Sequence, residues 1–196
     1  MKSFESLPSG YSQVMEVNLQ KNKKVAFMVN GAAVLVMVVM FVVANFFVPI
    51  SIVFDMVQNG EFLYVLLMLL VMLASSLAYM VLHELAHAVA MKAFGTKKVK
   101  FGYTGVYAFA GSNDYYTKGA YLIIALAPVV VWGVILAVIN AFVPLEWFWV
   151  VYFVQMSNIS GAAGDFYVTF KFMKLPKDIL VHDSGVDMKV YSAEIK

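Results

Sequence analysis

Four apolar blocks dominate this chain of 196 residues. Each is longer than the roughly 20 residues a helix needs to cross hydrocarbon. They run from about Val25 to Phe54, from Phe62 to Phe94, from Gly119 to Phe142 and from Trp147 to Met173. Composition points the same way: 62% of the residues are hydrophobic and 13% are charged, whereas a soluble domain is nearer half and a quarter. The expected fold class is therefore an all-α polytopic membrane protein with four transmembrane helices. No linker, repeat or low-complexity tract divides it. We expect one membrane domain, residues 25–173, between an N-terminal segment 1–24 and a C-terminal tail 174–196. The first block follows a long polar stretch and exceeds the apolar region of a secretory signal, so it is read as a true span.

Lysine placement sets the orientation. Lys21, Lys23 and Lys24 precede the first block, Lys92, Lys97, Lys98, Lys100 and Lys118 lie between the second and third, and Lys171, Lys174 and Lys177 follow the fourth. The other two loops carry Asp55, Glu61 and Glu146 and no lysine. By the positive-inside rule both termini are cytoplasmic. Trp147 and Trp149 suit the outer interface, where indole rings anchor. A formal charge of +2 is too small to suggest a nucleic-acid partner. The absence of cysteine excludes disulfides and a thiolate-ligated zinc.

One segment breaks the helical pattern. In VKFGYTGVYAFAG, Val99, Phe101, Tyr103, Tyr107 and Phe109 fall on alternate positions. Period two with interspersed glycines predicts a short interfacial β-hairpin or re-entrant strand after the second helix. Such a strand could offer an edge to an unwound peptide, which makes Tyr103 and Tyr107 candidate substrate contacts.

The chemistry concentrates at the inner end of the second block. His83, Glu84 and His87 form HELAH, an instance of H-E-x-x-H, and hold two of the three histidines in the chain. Residues four apart share one face of a helix, one turn along the axis. Two imidazoles so placed can take two corners of a tetrahedral zinc, with Glu84 beside them as general base toward water. Polar groups in a span cost about 2.5–3.5 kcal/mol each on insertion scales and mark functional sites.

A catalytic zinc takes three protein ligands and keeps one position open. Asp55 belongs to the opposite side, Asp114 to the lysine-rich loop, and Asp178, His182, Asp183 and Asp187 to the tail. Asp165 stands alone in the fourth block. Counted back from the first inner lysine, His83 is about 14 Å deep and Asp165 about 9 Å, a difference that helix tilt absorbs. Ser160, Gly161, Ala162, Ala163 and Gly164 allow a close helix approach there. Asn158 lies two turns earlier on a similar face. It could hydrogen-bond a substrate backbone, support a ligand, or bridge helices.

With HELAH in one span and GAAGD in a later one, the chain resembles intramembrane zinc metalloproteases of the site-2-protease type. It looks closest to a small bacterial family of zincin-type peptidases that otherwise carries a "domain of unknown function" label. The resemblance covers roughly residues 20–190. It implies a multi-pass protein of a bacterial cell membrane that binds one zinc ion through His83, His87 and Asp165. It further implies Glu84 as the group that activates water, Asn158 as a substrate contact, and a membrane-embedded or membrane-proximal peptide as substrate, cut near the cytoplasmic face. The sequence departs from site-2 proteases in having Gly161 where their motif has proline, Gly164 before Asp165, Phe166 after it, and no PDZ-like domain. The competing reading is a non-catalytic scaffold, zinc-binding or metal-free.

Overall fold

The computed structural model describes residues 2–18, 21–105 and 107–193. Three helices are long and apolar enough to cross a membrane: α1 (Lys23–Phe47), α3 (Phe62–Ala93) and α4 (Lys118–Phe142). Asn22 caps α1 by accepting the Val25 N–H at 3.1 Å, a typical use of an N-cap amide. Pro49 stops the first block early, and the chain resumes as a separate short helix, α2 (Ser51–Gln58). Asn45 bridges that break by accepting the Ile50 N–H at 2.8 Å. Gly95 ends α3, at a φ of +104° that a side chain would resist.

The fourth block is not one helix. After a 3-10 turn at Leu145–Trp147 it splits into α5 (Phe148–Gly161) and α6 (Ala163–Met173), parted at Ala162. Asp165 thus stands in the first turn of a helix rather than inside one. Such breaks persist at membrane depth where the freed backbone lines a cavity.

The expectation of an all-α chain needs correction. The predicted hairpin is present, as β3 (Lys100–Tyr103) paired antiparallel with β4 (Ala108–Gly111). A second, five-stranded antiparallel sheet was not foreseen. It comprises β1 (Ser3–Phe4), β2 (Ser12–Val17), β5 (Tyr115–Thr117), β6 (Leu180–Asp183) and β7 (Met188–Ser192), in the order β1-β5-β6-β7-β2. Its strands are two to six residues long, and most find partners far away in sequence. Ser12 pairs with Ser192, a register no local pattern announces. The polar ends of the chain are therefore structured together.

This sheet packs on the C-terminal end of α3, the N-terminal end of α4, and α6. Met91, Tyr116, Ile124, Val168, Phe172 and Val181 form the centre of a fully enclosed core there. Elsewhere the helices present apolar side chains outward: Phe27, Phe46 and Phe47 of α1 are each 82% exposed. That distribution suits lipid, since soluble monomers rarely expose apolar patches on this scale.

The hairpin is locked to the turn between β6 and β7 by glycines. A Cβ on Gly111 would overlap the Ser184 backbone, and one on Gly185 would overlap the Phe109 ring. Gly185 also has a φ of +88°. Gly185→Ala therefore combines a steric clash with an unfavourable backbone, and should cost about 2 kcal/mol or more. Hydrogen exchange at Ala108–Gly111 should speed up in this variant while α4 keeps its protection.

Candidate metal centre

Three side chains from two separate helices converge beneath the hairpin. His83 Nε2 lies 3.3 Å from Asp165 Oδ2, and His87 Nε2 lies 3.7 Å from Asp165 Oδ1. One ligand atom from each of the three can be chosen so that all fall within 4.8 Å of one another. Charge-assisted hydrogen bonds would be shorter, about 2.7–2.9 Å. Ligand atoms 2.0–2.2 Å from a tetrahedral ion stand roughly 3.3–3.6 Å apart. The spacing fits donors sharing a cation better than donors bonded to each other.

The hydrogen bonds on the far side of each ring select the tautomer this requires. Pro128 sits inside α4 and has no N–H, so the carbonyl four residues earlier, that of Ile124, loses its helical donor. His87 Nδ1 lies 2.9 Å from that oxygen. A carbonyl only accepts, so Nδ1 carries the proton and Nε2 keeps a lone pair. For His83 the logic runs through three residues. Asn158 Nδ2 donates to the Val129 carbonyl at 3.3 Å, which turns its Oδ1 toward Tyr79. The Tyr79 hydroxyl donates to that oxygen at 2.7 Å. Its own oxygen, 2.8 Å from His83 Nδ1, then accepts the ring proton. Both histidines thus offer Nε2 to the same point.

Glu84, one residue from His83, lines the same cavity as the three ligand candidates. The Ala110 backbone N–H faces its carboxylate. In an antiparallel ladder, alternate residues direct their backbone groups to the same side. Ser112 N–H, on the Ala110 side, is taken by the Asp183 carbonyl at 2.8 Å. Ala108 also points that way, so β4 turns a short free edge to the cavity.

The cavity encloses about 610 Å³. Its inner wall comes from the tail: Asp183, Gly185, Val186 and Met188. Asp183 accepts from the Tyr121 hydroxyl and from the Gly185 N–H, both at 2.8 Å. Burial pushes its carboxyl above the usual range, and these two donors pull against that rise.

The sequence candidates distribute unevenly over this geometry. His83, Glu84, His87, Asp165 and Tyr107 line the cavity. Asn158 is fully buried and engaged by Tyr79 and Val129, so its place is behind His83 rather than against a substrate. Tyr103 is 66% exposed and donates its hydroxyl to Gly105 O, on the outside of the hairpin. Of the residues weighed as third ligand, His182 sits in β6 with Nδ1 3.3 Å from Asp114 O, apart from the cluster. Sequence reasoning missed Tyr79, although its position four residues before His83 puts it on the same helix face. It also missed Pro128 as the source of a free carbonyl.

The fold and site define a class: a helical protein with membrane-length apolar helices and an H-E-x-x-H pair joined by a distant carboxylate. The sequence profile of the family described as "Putative zincin peptidase" matches residues 76–180, over half of the chain, and the chain belongs to that family. No curated protein and no solved structure matches it.

Outer hydrogen-bond partners of metal-binding histidines are worth about 10- to 100-fold in affinity. Tyr79→Phe should weaken Zn²⁺ or Co²⁺ binding by that factor, measured by competition with a chelating dye, with the helical circular dichroism unchanged.

Proposed function

We propose that this protein is a zinc-dependent peptidase that cuts a membrane-embedded or membrane-proximal peptide near the cytoplasmic face. The observation that carries the reading is the convergence of two preset imidazole nitrogens and the Asp165 carboxylate next to Glu84. Two neutral nitrogens and one carboxylate oxygen are a donor set that zinc favours, and three protein ligands leave a position open. His83, His87 and Asp165 would hold one ion. When bound it would supply Lewis acidity, making water more acidic and polarising a carbonyl.

The chain's own residues do the rest. Glu84 accepts a proton from the attacking water as the water oxygen bonds to the scissile carbonyl carbon. It returns that proton to the nitrogen as the carbon–nitrogen bond breaks. The substrate strand lies against the edge of β4 at Ala108, whose backbone groups face the cavity near Glu84. Tyr107 lines the path. An α-helical substrate must unwind first, since its amides are otherwise paired.

The membrane reading extends the three long helices to four crossings, with α5 and α6 together spanning about 39 Å at 1.5 Å per residue. Both termini, and the five-stranded sheet they build, lie on the cytoplasmic side, where the lysines collect. The surrounding segments then fall as 1–24 and 174–196 around a membrane domain of 25–173.

Purified protein tests this directly. Glu84→Gln should keep one zinc per chain and lose peptide hydrolysis by at least about 100-fold, read with a pool of quenched-fluorescent peptides in detergent. His83→Ala and Asp165→Ala should lose the zinc itself, measured by elemental analysis. Full hydrolysis by Glu84→Gln would sink Glu84 as the base, and no hydrolysis by the zinc-loaded wild type would sink the enzyme and leave a scaffold. Separately, Ala108→Pro removes an N–H from the free edge without touching the β3–β4 ladder. It should raise KM several-fold or more while zinc content stays at one.

A further inference from the structure

The cavity does not end at the metal ligands. It continues outward along α3 past Met80, Leu77 and Ser76, and its opposite wall is α1, through Val29, Asn30 and Ala33. The packing partners of α1 are α5 and α6, and those of α3 are α2, α4, α5 and β4. The two cavity walls therefore make at most a marginal contact with each other. Leu77 and Met80 line the cavity and are still 57% and 44% exposed, so it opens sideways between α1 and α3. In a membrane this opening faces lipid.

Asn30 is the residue that hydrocarbon alone does not explain. It is exposed in the first third of α1, and among the described residues its amide has no hydrogen-bond partner. The neighbouring hydroxyls are engaged: Ser76 bonds the Met72 carbonyl at 2.7 Å and Ser157 the Phe153 carbonyl at 3.0 Å. Depth places the free amide level with the site. Asn30 is about 10 Å of helix beyond Lys23, whereas His87 and Asp165 are about 8 and 9 Å before Lys92 and Lys171. Polar side chains at such depth face cavities and mark substrate paths.

We infer that a transmembrane helix of the substrate enters through the gap between α1 and α3, and that the Asn30 carboxamide binds the backbone of its unwound inner end. This rests on the peptidase reading above and names its substrate class: a single-span helix whose cytoplasmic end unwinds easily. The chemistry matches the need. Unwinding frees N–H and C=O groups where no water replaces the lost partners, and a carboxamide is itself both donor and acceptor. One wall of the gap then supplies Asn30 and the far end supplies the β4 edge, so freed backbone is met from both sides.

A photo-cross-linking amino acid at position 80, compared with position 81, tests the route in full-length protein in liposomes. Val81 is 68% exposed but does not line the cavity. The probe is a synthetic single-span leucine–alanine peptide with a Gly-Ser-Gly stretch at its inner end. Cross-linking should occur from position 80 and not from 81, and Asn30→Leu should reduce its yield about fivefold, the effect of one lost hydrogen bond. Equal yields from the two positions, or none from 80, would overturn the entrance. An unchanged yield in Asn30→Leu would overturn the role of the amide. Peptide cutting is scored in the same zinc-loaded samples. Asn30-dependent cross-linking without cutting supports the docking route and counts against the peptidase, whereas cutting without cross-linking from position 80 counts against the route alone.

Discussion

An unpaired carbonyl in α4 is the constraint on which the candidate site turns. A proline inside a helix withdraws one N–H and leaves the oxygen four residues back without its donor. Ile124 is buried, so bulk water is a poor substitute for that donor. Here it is the Ile124 carbonyl, and His87 supplies the missing proton. One local defect in helix geometry thereby orients a ring on another helix and decides which of its nitrogens is free. His83 is set by a parallel device, a relay through Tyr79 and Asn158 to the Val129 carbonyl on the same helix. The helix between the two site-bearing elements contributes no side chain to the cluster, yet it anchors both histidines through its backbone.

The second defect, at Ala162, serves the acid. A continuous helix would have placed Asp165 mid-span. The break places it at the start of α6, where the unpaired N–H groups of a helix end favour a negative charge. Gly161, Ala163 and Gly164 line the cavity beside it, so the loosened backbone faces open space instead of lipid. The backbone is broken at Ala162 beside the cavity, whereas α1 and α3 run on as unbroken helices where their apolar side chains face outward.

Much of this was legible in the sequence because the physics involved is local. H-E-x-x-H reads directly onto one helix face, and an isolated acid at matching depth identifies its partner helix by simple rise per residue. The hairpin announced itself by alternating aromatics. The five-stranded sheet did not. Ser3 pairs with Tyr116 and Ser12 with Ser192, and strands this short carry too few residues to show a period. Asn158 was found, but substrate contact, ligand support and a bridge between helices all stayed open for it, because a polar residue near a site reads alike whether it faces the cavity or braces a ligand. Only the direction of its two hydrogen bonds separates the cases. Tyr79 was overlooked because, within an apolar run, a tyrosine passes for packing.

The sheet has a consequence for how such a chain is made. β2 waits for β7, and β1 waits for β5, so these strands stay unpaired while the helices between them are synthesised. Asp183, Val186 and Met188 follow both histidines and the acid in the chain, so the cavity wall they form is made after all three. The candidate ligands are thus synthesised before the wall that shapes access to them. The complete cavity closes only as β6 and β7 fold back and join strands made before the helices.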